Sequence, residues 1–69
     1  MKKVSYGSLW KTLLDKHMTK TELREKAQLS RGTVTKMGKD EPVGLEIILK
    51  IATALDTVSI ADIIEIVED

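Results

Sequence analysis

TKTELREKAQLSRGTVTKMGK, residues 19–39, carries six lysines and arginines against two glutamates, and two glycines interrupt its second half. Thr19 and Glu22 stand in the S/T-x-x-E spacing of a capping box, which predicts a helix from about Lys20 to Lys26. Leu23 and Ala27 fall four apart on its inward face, and the small alanine lets another helix approach closely. Gln28 and Leu29 form a short connection, and Ser30 is a good N-cap for a second helix over 31–39. With about 100° of rotation per residue, Arg31, Thr35, Lys39, Gly32 and Lys36 share one cationic, hydroxyl-bearing face. Thr33, Val34, Met37 and Gly38 gather on the other, which is apolar enough to dock.

The flanking sequence completes an all-α expectation. Leu9, Trp10, Leu13, Leu14 and His17 make an amphipathic stripe for a first helix ending near Met18, with His17 half-buried at its end and Trp10 in the core. Asp40, Glu41, Pro42, Val43 and Gly44 read as a loop. A fourth helix over 45–55 carries Leu45, Ile48, Leu49, Ala52 and Leu55 on one stripe and Ile47, Ile51 and Ala54 on a second. Ser59-Ile60-Ala61-Asp62 opens a fifth, acidic helix over about 60–67, with Ile60, Ile63, Ile64 and Val67 inward. The expectation is one domain over 1–69, a five-helix bundle.

The formal net charge of zero conceals a division. Residues 1–39 hold ten Lys/Arg against three acids, a net +7, whereas residues 40–69 hold one lysine against eight acids, a net −7. Such asymmetry points to a basic working face on one half, with the acidic half kept clear of any polyanion. The chain has no cysteine, which excludes disulfides and thiolate metal ligation. No apolar run approaches membrane-spanning length, and MKKVSYGSLWKTLL has no uninterrupted h-region of a signal peptide, so a cytoplasmic, nucleoid-associated location is expected. A chain this short has a modest core, which argues against a deep catalytic cavity.

Two short helices joined by a tight turn, the second with a polar and cationic outer face, form the helix-turn-helix arrangement that places a recognition helix in the DNA major groove. Arginine forks onto guanine O6 and N7, lysine does so more loosely, threonine hydroxyls serve phosphates or base edges, and Gly32 permits close backbone approach. The run over 19–64 also resembles the Cro and phage-repressor (XRE) type helix-turn-helix domain, in particular its short single-domain members with a leading Leu-Trp helix. Thr19, Glu22, Leu23, Ala27, Ser30, Thr33 and Val34, then the Leu45–Leu55 helix and Asp62-Ile63, carry the resemblance. It implies a lambda-repressor-like bundle and a transcriptional regulator of repressor type bound to double-stranded DNA. By position, it implies that Lys20 meets a phosphate or base edge, that Ser30, Thr33 and Lys39 meet backbone phosphates, and that Arg31, Gly32, Thr35 and Lys36 face the bases. Two departures are visible: Gln28 stands where glycine is usual, and Gly32 has no side chain for one common base contact.

Other chemistry finds little support. Gly32 to Lys39 is spaced only superficially like a phosphate-binding G-x-x-x-x-G-K-[ST] loop, with one residue too many and no preceding strand. A single histidine and no cysteine do not make a metal site, and Glu65 and Glu68 lie on a solvent face with no pocket to raise a carboxyl pKa. No enzyme, cofactor, membrane or small-molecule ligand is therefore expected. The competing reading is a protein-interaction module, antitoxin-like or anti-regulator, engaging a partner through the acidic C-terminal half. Homodimerisation is a further expectation, with Ile47, Ile51, Ile60 and Ile64 either forming the seam or closing the monomer core.

Overall fold

The computed structural model describes residues 1–69 and runs β1 (Lys2–Ser5), α1 (Gly7–Asp15), α2 (Lys20–Ala27), α3 (Arg31–Gly38), α4 (Leu45–Leu55), a single 3-10 turn (Ile60–Asp62) and β2 (Glu65–Glu68). The capping box forms as the spacing predicts: Glu22 N–H donates to Thr19 Oγ1 at 3.1 Å and Thr19 N–H donates to Glu22 Oε1 at 3.1 Å. Ser30 caps α3 by accepting the Thr33 N–H at 3.1 Å.

The four helices end alike. His17, Gln28, Asp40 and Asp56 each adopt the left-handed region, with φ between 53° and 57°. The next N–H then returns to a carbonyl five positions back: Met18 to Leu13 (2.9 Å), Leu29 to Arg24 (2.8 Å), Glu41 to Lys36 (2.9 Å) and Thr57 to Ala52 (3.0 Å). This is the Schellman closure, usually built on glycine because a Cβ makes the left-handed region unfavourable. Here no glycine has a positive φ. Gln28 therefore makes the turn between α2 and α3 in the geometry that glycine would supply.

One apolar cluster holds the helices together: Leu9 and Leu13 of α1, Leu23 and Ala27 of α2, Leu29 of the turn, Met37 of α3, Ile48, Ile51, Ala54 and Leu55 of α4, with Tyr6 and Ile63. α4 packs against α2, and Ile51 is fully buried between its neighbours. No helix is long and apolar enough to cross a membrane.

Two expectations are corrected, and an open one is narrowed. The fold is mostly helical but not all-α, and the fifth helix over 60–67 does not form. After the 3-10 turn, residues 65–68 extend and pair antiparallel with β1, in the register Lys2↔Glu68, Lys3↔Val67, Val4↔Ile66 and Ser5↔Glu65. Crowded β-branched residues favour a strand once a partner strand is at hand, and the periodicity of Ile60, Ile63, Ile64 and Val67 reflects only that Ile63 is buried while Ile64 and Val67 are partly covered. Of the two uses expected for Ile47, Ile51, Ile60 and Ile64, dimer seam or monomer core, the core takes Ile51. Ile51 belongs to the core because α4 is the central helix, Ile47 and Ile64 are half-buried, and only Ile60 is exposed, at 53%. Finally, His17 and Leu14 are exposed, because α1 stops at Asp15 and His17 has turned outward in the left-handed exit.

Candidate nucleic-acid interface

α3 separates its two faces as its sequence dictates. Met37 is fully buried and Val34 half-buried, which fixes the helix on the core, while Arg31, Gly32, Thr35 and Lys36 are exposed. Lys39, expected as the last helical residue, is instead the C-cap of a helix ending at Gly38, and is also exposed. A Cβ placed on Gly32 would meet only Ser30 Oγ, at 3.9 Å. The fold therefore makes no packing demand for glycine at this helical position, although glycine weakens a helix by about 1 kcal/mol relative to alanine.

The hydroxyls are largely committed to local bonds. Ser30 Oγ and Thr33 Oγ1 are 2.9 Å apart and share one hydrogen; the pair thus retains one O–H for an outside acceptor, at the N-terminal turn where an oxyanion is best received. Thr35 donates its hydroxyl to the Arg31 carbonyl at 3.0 Å, so its methyl group and oxygen lone pairs, rather than its hydrogen, are what it offers outward.

Charge is arranged differently from the rest of the surface. The molecule has two ion pairs, both to Glu68: Lys2 Nζ bonds its carboxylate, and the N-terminal amino group lies 4.0 Å from it. No acid stands within ion-pair distance of Lys20, Arg24, Arg31, Lys36 or Lys39. The acidic half leaves this face open. Lys20 has a fixed place all the same, because its Nζ lies 4.2 Å from the centroid of the Trp10 ring, a cation–π geometry. Trp10 is half-buried rather than a core residue, and its ring tilts against Tyr6 at 6.4 Å between centroids.

Tyr6 ties this platform to the end of α3. Its hydroxyl donates to the Glu41 carbonyl at 2.7 Å, and its backbone N–H donates to Asp40 Oδ1 at 3.3 Å. Burial pushes the Tyr6 phenol above its usual pKa, a backbone hydrogen bond from Val43 opposes this, and the Asp40 charge adds to the rise. The neutral phenol is the form the fold holds, and it anchors the chain as it leaves α3.

The structure thus brings Lys20, Arg31 and Thr35 to one cleft between α2 and α3, and Ser30, Gly32, Thr33, Lys36 and Lys39 do not line it. Sequence reading missed two residues of that cleft, Thr21 and Arg24. The signal was present in part: Arg24 lies four positions after Lys20, one turn along the same helix face.

Comparison with known proteins agrees with this geometry. The family model described as the Cro/C1-type HTH DNA-binding domain matches residues 8–69. A crystal structure of the transcriptional regulator VanUg superposes with a TM-score of 0.94 at 43% sequence identity, covering 99% of this chain and 89% of that one. None of the curated proteins matches.

Proposed function

The chain belongs to the Cro/C1-type helix-turn-helix DNA-binding family, and from that premise we propose that it is a repressor-like transcriptional regulator that recognises a particular double-stranded DNA sequence through α3. The observation that carries this reading is the exposed face of α3 with its neighbour Lys20: cations free of any acid partner, fixed on an anchored helix, in a molecule with as many acids as bases. In the reading, Arg31 and Lys36 reach guanine edges in the major groove, and the Thr35 methyl packs on thymine. Gly32 lets the backbone come close to the bases. Ser30, Thr33 and Lys39 hold backbone phosphates, the first two through the one O–H their pair leaves free, and Lys20 reaches a phosphate or base edge at the rim. The activity is binding without catalysis, in the cytoplasm at the nucleoid.

Pairing of two copies is part of the proposal. One module this size covers only about 600–1,000 Å² of a DNA surface, and two half-sites about 34 Å apart are a common route to tight, specific binding. Of the residues expected at the seam, Ile60 is the one still exposed, beside Leu45, Leu49 and Val58 around a groove of about 280 Å³. The experiment for the whole reading is selection of bound duplexes from a random DNA pool. A shared sequence motif is the expected result; retained duplexes with no common sequence would remove specific recognition, and no retention at low salt would remove the DNA reading altogether.

A further inference from the structure

The cleft between α2 and α3 has a volume of about 380 Å³ and is lined by Lys20, Thr21, Arg24, Arg31, Val34 and Thr35. Three of these six are cations and none is an acid. Lys20 and Arg24 also stand at positions i and i+4 of one helix, where like charges repel and weaken the helix. The nearby glutamate of the first turn, Glu22, already serves the backbone of Thr19, and no carboxylate comes within ion-pair distance of any of the three. Arg24 is half-buried, so its side chain is partly fixed in the cleft without a carboxylate partner. Lys20 is held at the rim by Trp10, 4.2 Å below its ammonium group. A cluster with these properties lacks one thing, a shared anion.

We infer that the α2–α3 cleft is a phosphate seat, in which Arg24 forks onto one phosphate group and Lys20, propped on Trp10, closes its rim, while Arg31 on the α3 wall is left to the base edges. The guanidinium fork suits the paired oxygens of a phosphate, and the hydroxyl of Thr21 is at hand as a further donor. The seat adds Arg24, Thr21 and Trp10 to the binding surface, with Trp10 as a positioning residue acting through Lys20. With α3 in the major groove, the phosphodiester backbone of the duplex is the source of that phosphate, and to this extent the inference rests on the proposed function. A free phosphorylated molecule presents the same chemistry.

The test has two arms. In the first, inorganic phosphate is titrated into the ¹⁵N-labelled protein without DNA, at constant ionic strength set with chloride, while the Nε–H signal of Arg24 and the backbone amide signal of Lys20 are followed. The expected result is saturable movement of both signals, with the Lys20 response lost in R24Q and kept in R24K. In the second, duplex affinity is measured against salt for wild type, R24Q and R24K. One lost phosphate contact lowers the slope of log K against log salt by about 0.9, so R24Q should fall by about that amount and R24K should not. A fall in slope supports the seat on DNA whether or not free phosphate saturates it. Saturation by phosphate with an unchanged slope, or with no duplex binding at all, supports a seat for a free phosphorylated ligand, and the second of these also defeats the DNA reading. No saturation together with an unchanged slope overturns the seat, and the wild-type titration reads out even if R24Q folds poorly.

Discussion

At the sheet end of the molecule, Lys2 bonds Glu68 across β1 and β2, the N-terminal amino group stands 4.0 Å from the same carboxylate, and Ser8 donates to Glu65 at 2.6 Å. At the helix-turn-helix end, Lys20, Arg24, Arg31, Lys36 and Lys39 have no such partner, although the acidic half of the same chain supplies eight carboxylates. Exposed ion pairs contribute only about 0–1 kcal/mol, so neither arrangement decides whether the chain folds. The difference bears on function. One end settles its charges internally, and the other keeps an unneutralised field for a polyanion to enter.

The widest separation between the two ends should come from deleting charge at each. Arg31→Ala with Lys36→Ala removes two base contacts of about 1–3 kcal/mol each, so affinity for the selected duplex should fall by roughly 30-fold or more. Lys2→Ala with Glu68→Ala should leave it within about twofold. Fluorescence anisotropy in low salt measures both, and equal losses would erase the contrast. Next in size is stability. Ile63 is fully buried and leads into β2, so Ile63→Ala should cost about 2–5 kcal/mol in urea unfolding.

Smaller effects separate fold from function within the helix-turn-helix itself. Since a Cβ at Gly32 makes only an ordinary contact with Ser30 Oγ, Gly32→Ala should raise stability by about 0.5–1 kcal/mol while weakening DNA binding, because the added methyl stands where the backbone approaches the bases. Stabilisation with unchanged affinity would remove Gly32 from the interface. Gln28→Gly should raise stability by about 0.5–1 kcal/mol by relieving the left-handed residue of the turn, with affinity unchanged; thermal unfolding and anisotropy check the two halves.

The two ends also differed in how far they could be read from the sequence. The capping box of α2, the Ser30 cap, the inward Leu23 and Ala27, and the buried Met37 all rest on residues three or four positions apart, so local chemistry announces them. The β1–β2 pairing joins residues at opposite ends of the chain, and no local pattern states that Lys2 will find Glu68. Without that partner, the spacing of Ile60, Ile63, Ile64 and Val67 fits a helix as well as an extended segment. The exposed face of α3 was legible because periodicity fixes which side chains share a side. Arg24 was not, because its place in the cleft depends on how α2 lies against α3. The glycine expected after α2 is absent, yet the Leu29 N–H closes on the Arg24 carbonyl as it would with glycine present. A turn's hydrogen bonds can therefore hold a residue that propensity disfavours.

The most direct measurement is an amide chemical-shift map of the ¹⁵N-labelled protein on adding its selected duplex. Insertion of α3 should concentrate the largest changes in Arg31, Gly32, Thr35 and Lys36, with Lys20 at the margin and residues 65–68 nearly still. Largest changes along β2, or on the exposed Leu45 and Leu49 of α4, with α3 unmoved would contradict the account.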